Sequence, residues 1–219
     1  MSAGEPGDLS VALASMPVFP LPRVVLFPRA LLPLHIFEPR YKKMLDDCLD
    51  SHRCLAMACV VEGTERDEVP RFERVAGAGV VVEREALPDG RSNILLHGRT
   101  RVVLDELPFE PPYRRARATL LVDVHTIVPA ADRTALHAAA ASFVAEVRRR
   151  NVDFDFALPV GVDDGAAADL CAHHLVFEAR TRQRALEETD VVVRTRIVAT
   201  AIVEQAARLV GERGGGGPN

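Results

Sequence analysis

A phosphate-binding loop requires a Gly-x-x-x-x-Gly-Lys-[Ser/Thr] run, whose backbone amides and lysine cradle phosphate. Among 27 basic residues only Lys42 and Lys43 are lysines, both directly after Tyr41, and neither stands in such a run. A serine–lysine dyad would have to use these same two residues, which a helical reading of the segment puts on an exposed face. The best-placed serine, Ser92 in "GRSNI", fails the Gly-x-Ser-x-Gly elbow at its last position and reads as a turn residue opening a strand. No nucleophile has a base beside it. The expectation is a non-enzymatic chain with no catalytic residue and no cofactor.

Metal chemistry fares no better. Cys48, His52, Cys54 and Cys59 lack the paired Cys-x-x-Cys spacing of structural zinc. Cys48 falls on the apolar face of a helix, while Cys54 and Cys59 point to opposite sides of one strand. In "CAHH", Cys171 and His174 can share a helix face, but two neighbouring ligands do not make a four-coordinate site. The two histidines read as one bundle residue beside one surface residue. All four cysteines are expected as reduced, buried thiols, with no metal.

The basic cluster of Arg114, Arg115 and Arg117, with Arg99 and Arg101, could track phosphates. Against it stand Asp105, Glu106 and Glu110, a net charge of −4, and a chain with no tryptophan and two tyrosines. Stacking platforms for bases are therefore scarce. Nucleic-acid binding is kept only as the alternative reading.

These residues hang on a chain that changes character once. Residues 1–15 and 214–219 read as flexible ends, the second rich in glycine. Residues 16–124 are strand-like and 125–213 helical. "YRRARATLLVD" puts Ala116, Ala118, Leu120 and Val122 on one face, with Arg115, Arg117 and Thr119 on the other. "GAGVVVERE" and "NILLHGRTRVVLDEL" are strands joined by the tight turn of "LPDG", and Gly98 predicts a bulge. "CLAMACVV" reads as a buried strand. After Pro39, residues Tyr41, Leu45, Cys48 and Leu49 have helical spacing. Prolines 17, 20, 22, 28, 33 and 39 fit short strands with sharp corners, because proline donates no backbone hydrogen bond. In the second half, Leu136, Ala139, Ala140, Phe143, Val144 and Val147 form one helical stripe. A final helix carries Val191, Val198, Ile202, Ala206 and Leu209. No basic n-region precedes "LSVALAS", and no apolar run approaches the ~20 residues that span a bilayer. A cytoplasmic protein without membrane contact is expected.

The order of these pieces resembles the N-terminal substrate-binding domain of Lon protease, in its stand-alone bacterial form. "MPVFPLPRVVLFPRALLPLHIFEPRYKKML" looks like that domain's opening, and "RVAGAGVVVE" its Gly-containing strand. "LLHGRTRVVLDEL" with "PPYRRARATLL" is similar to its Gly-x-x-Arg strand and Pro-Tyr segment. "DLCAHHLVFEARTRQRALEETDVVVRTR" resembles its C-terminal helices, with Gln183 to Asp190 before the last. The resemblance implies an α+β fold: a small PUA-like antiparallel β-barrel with one inserted helix, followed by a helical bundle. It also implies recognition of unfolded polypeptide segments or a specific protein partner, and supplies no activity.

Alternation through "FPRALLPLHIF" then locates a candidate surface. If Leu32, Leu34 and Ile36 point inward, Leu31, His35 and Phe37 point outward. An extended apolar peptide would meet Phe27, Pro28, Leu31, His35 and Phe37 in a groove between barrel and helices. Arg40 would steer acidic or polar flanks.

Overall fold

A computed structural model describes residues 7–124 and 127–214. In chain order the elements are α1 (Leu9–Ala12), β1 (Met16–Pro22), β2 (Leu31–Ile36), α2 (Pro39–Leu49), β3 (Cys54–Val60), β4 (Val75–Ala86), β5 (Ser92–Glu106) and β6 (Arg114–Leu121). The helices α3 (Ala130–Arg148), α4 (Asp164–Leu175), α5 (Ala179–Glu187) and α6 (Val191–Gly214) follow. The chain forms two compact units, one up to Val122 and one from Asp123.

The first unit is a six-stranded mixed sheet, ordered β2-β5-β4-β3-β1-β6, in which β6 also pairs with β5. The pairing of five strands therefore returns on itself, and β2 is attached outside that ring, on the first half of β5. The expected all-antiparallel arrangement is corrected at one place: β1 and β3 run parallel, with Val18 opposite Ala56 and Pro22 opposite Val60. The connection between them is no hairpin. It holds β2 and α2, a crossover long enough to return the chain in its original direction. Past Val18, β1 pairs only with β3, so Pro20 and Pro22 occupy a stretch with an open side.

Burial follows from the strand period. Every residue of β3 is buried. Cys54, Ala56 and Ala58 join Met16, Val18, Ala76, Ala78, Val102, Leu104, Ala116 and Ala118 in one apolar cluster. Small residues dominate it. Leu120 and Val122, expected on this same face, are instead exposed. Beyond Ala116, β6 has lost β1 as a neighbour and pairs with β5 alone.

The opposite face of β4 and β5 is covered by the β1–β2 connection. Val25, Leu26 and Phe27 are at most 1% exposed. This segment lies directly on glycines of β4 and β5: a Cβ at Gly77 would sit 2.0 Å from the Leu26 carbonyl oxygen, and one at Gly98 2.0 Å from that of Phe27. Gly98 also flanks the expected bulge, where pairing slips between Ala78 and Gly79.

The flexible reading of residues 1–15 needs correction for those described. Asp8 caps α1 by accepting from the Ser10 amide at 2.9 Å, Ala12 is buried in the sheet cluster, and the Ala118 amide donates to the Leu13 carbonyl. A four-residue helix is too short to leave a periodic signal in sequence. Residues 1–6 and 215–219 lie outside the described residues, whereas Gly214 ends α6.

The second unit buries the expected stripes. Leu136, Ala139, Ala140, Phe143 and Val144 of α3 are buried, as are Val191, Val198 and Ile202 of α6. The same stripe of α6 carries Arg194, which is 0% exposed. Its guanidinium grips both carboxylate oxygens of Asp123, at 2.8 and 2.5 Å, and donates to the Glu188 carbonyl. Asp169 lies 3.1 Å away.

Candidate functional site: the free edge and outer face of β2

The burial alternation of β2 is regular. Leu31, Pro33 and His35 are exposed, Leu32 and Leu34 half-buried, and Ile36 buried. The register extends this outer face over three strands: Leu31 opposes His97, Pro33 opposes Leu95 and through it Glu83, and His35 opposes Asn93 and through it Glu85. Leu31, which opens β2, and Phe37, the residue that follows it, are 48% and 58% exposed, a large apolar area at the two ends of the strand.

One end of this face is polar and internally ordered. The Glu85 carboxylate accepts from Asn93 Nδ2 at 2.8 Å, which leaves Asn93 Oδ1 to meet His35 Nδ1 at 2.8 Å. An amide oxygen only accepts, so Nδ1 of His35 carries the proton and Nε2 accepts from Arg91, 3.3 Å away. Arg91 is itself paired with Asp89. The His35 ring is further held by stacking on Phe37, with centroids 6.0 Å apart. The imidazole is thus fixed in orientation by this network.

The other expected site residues separate. Phe27 is corrected: it is fully buried on the β4–β5 glycines and has no surface to offer. Its alternation could not be read from β2 because the chain turns between them, with Arg29 at φ 65°. Pro28 is half-buried. Arg40 is exposed, but Glu38 shares its charge at 2.8 Å and its guanidinium covers the Tyr41 ring at 4.5 Å.

Elsewhere the candidates disperse. Ser92 is buried at the start of β5, with its Oγ 3.3 Å from Arg84 Nε. None of the four cysteines is in a disulfide, and all are buried. Burial pushes the Cys48 and Cys171 thiols up to about 12 and Cys54 to about 11, far from the thiolate needed for nucleophilic or metal chemistry. Among the described residues, no three or more of His, Cys, Asp and Glu are grouped to hold a metal ion. The arginine cluster is not one surface. Arg101 is buried, Arg114 forks onto Glu106 at 2.5 and 2.7 Å, and Arg115 donates to the Tyr113 hydroxyl. In the second unit a cavity of about 560 Å³ lies between α3 and residues 156–162, and none of the expected binding residues lines it.

Sequence reasoning missed Pro33, Leu95, Asn93, Arg91 and Glu85. Part of this was legible: the "LPDG" turn closes through Gly90 N–H to Leu87 O, which sets Glu85 opposite Asn93. The pairing of β2 with β5 is non-local and left no such signal.

Comparison with known proteins agrees with this architecture. The chain is 22% identical over 186 residues to Lon protease of Cytophaga hutchinsonii, covering 82% of this chain and 23% of that one. It is 28% identical over 218 residues to Lon protease 2 of Sorangium cellulosum, covering 94% and 27%. It thus spans about a quarter of the length of these curated relatives. Among solved structures, a Lon N-terminal domain protein from Xanthomonas campestris superposes with a TM-score of 0.63 at 18% identity, covering 85% of this chain and 98% of that one. The N-terminal domain of Mycobacterium avium complex Lon protease gives 0.61 at 14%, covering 86% and 97%. At such identities these two show the fold alone. The model of the ATP-dependent protease La (LON) substrate-binding domain matches residues 15–204, and the chain belongs to that family.

Proposed function

We propose that the protein is a non-enzymatic binding domain that takes up unfolded, apolar polypeptide segments on the outer face of β2. The observation that carries this reading is Leu31 at the start of β2 and Phe37 just past its end, each about half exposed, in a substrate-binding domain. Large aliphatic and aromatic groups held in the open bind by surrendering water-exposed area, and an ordered strand loses little entropy in doing so. Pro33 and Leu95 extend the apolar strip. The row from His35 to Glu85 bounds it with groups already paired, so a ligand need not displace their partners. The five-strand ring supports reading the sheet as a small PUA-like barrel, and four buried thiols fit a reducing, cytoplasmic setting.

The test is binding of β-casein, a chain with little fixed structure, by titration at low and at ~0.5 M salt. Apolar capture should survive the added salt, since screening acts on exposed charges. Leu31→Ser with Phe37→Ser should weaken it about tenfold or more, given the apolar area each ring or branch contributes. Equal affinity of the double variant and the parent would remove β2 from the site.

A further inference from the structure

We infer that the bound segment adds to the sheet as a new strand, hydrogen-bonded along the free edge of β2. Among the described residues β2 pairs only with β5. Ladder geometry decides which backbone groups remain. The Gly98 amide donates to the Ala30 carbonyl, so in the register 30–98, 31–97, 32–96 the even-numbered residues of β2 face β5. The N–H and C=O groups of Leu31 and His35, and the C=O of Pro33, therefore point away from the sheet. Pro33 fits this placement, because a proline in the inward set would leave the β5 ladder one donor short.

Pro33 also selects the occupant. The two-fold antiparallel register that pairs all three outward residues of a second copy, Leu31 with His35, would set Pro33 against Pro33, where neither strand has a proton to give. A foreign segment with an ordinary residue there supplies its own amide to the Pro33 carbonyl. Its side chains would alternate between Leu31, His35 and Phe37 on one face and the half-buried Leu32 and Leu34 on the other, so both faces find apolar contact. The occupant is an extended, non-self polypeptide of about six residues, the length of β2.

This inference rests on the peptide-binding reading, and its test separates the two. The probe is a capped hexapeptide alternating leucine and threonine, with β-casein as the general ligand. Two further hexapeptides carry backbone N-methyl groups on the odd or on the even residues. One methylated peptide should lose about tenfold or more in affinity while the other binds like the parent, since only one edge faces β2. In the labelled protein, the Leu31 and His35 amides should exchange freely with solvent and become protected on adding the unmodified peptide. Leu31→Pro, which deletes an outward amide, should bind about tenfold more weakly than Leu31→Ala, which keeps it. Should Leu31→Pro fail to fold, the exchange data and methylated peptides still decide. Equal binding of both methylated peptides, with casein still bound, would overturn strand addition and leave the peptide-binding reading standing. No binding of casein would overturn both. Concentration-dependent dimerisation abolished by Leu31→Pro would assign the edge to a second copy and also overturn the proposal.

Discussion

Cys48 sits with no exposed surface between α2 and the sheet, its Sγ 3.5 Å from the Cys54 carbonyl oxygen. Burial, the main cause, raises its thiol from the ordinary 9.0 to about 12, and Cys171 in the second unit behaves alike. Burial is also the leading cause that lifts Cys54 to about 11. These groups are protonated in the fold at pH values where the unfolded chain has lost its protons. Their contribution to stability is complete below pH 9 and is lost as pH rises from there toward 12. The chemical-denaturation midpoint should therefore fall steadily above pH 9, on the order of 1 kcal/mol per pH unit for each thiol. Cys48→Ala should flatten that slope. A thiol reagent at mildly alkaline pH should leave the native protein unmodified and titrate every cysteine in denaturant. Fast labelling of the native state would contradict the burial.

At the scale of elements, the decisive contact is between the β1–β2 connection and two strands. Gly77 and Gly98 exist because the Leu26 and Phe27 carbonyls lie where their side chains would be. Gly77→Ala puts a methyl 2.0 Å from a backbone oxygen that cannot swing aside, so strands β4 and β5 or the β1–β2 connection must shift. The expected cost is ~3 kcal/mol, at the upper end for overpacking, read as a lowered denaturation midpoint. Gly79→Ala, whose Cβ would stand 2.8 Å from the His97 carbonyl oxygen, should cost less. A Gly77→Ala protein of parental stability would mean the connection does not rest there.

The whole molecule is two units, each with its own core. In the second, Arg194 draws Asp123 against α6, and the Val124 amide donates to the Thr189 carbonyl, so the segment that opens the unit is bound within it. A buried guanidinium needs such partners, since an unpaired buried charge costs several kcal/mol. Residues 1–122 produced alone should give a β-rich circular dichroism spectrum, unfold in one cooperative step and keep the affinity for β-casein. An unfolded fragment would show that the sheet depends on the helices for its stability.

How much of this was legible follows the range of the interactions. A period of 2 placed β6 and a period of 3.6 placed α2, α3 and α6, since they reflect which side of a single element meets water, while β3, β4 and β5 were legible as apolar runs. The in–out alternation of Leu31 to Phe37 was readable for the same reason, and so was the "LPDG" turn, whose closing bond spans four residues. The sequence alone also carried the family, through a proline-spaced opening that the match over residues 15–204 includes. Only the tertiary structure decided that β1 and β3 run parallel, that β2 pairs with β5 alone among the described residues, and that Phe27 turns inward while Leu31 stays out. It alone revealed why Gly77 is glycine and why an arginine interrupts an apolar stripe of α6. Each of these depends on a partner dozens of residues away, and a one-dimensional pattern records a residue's preference for burial without recording what buries it.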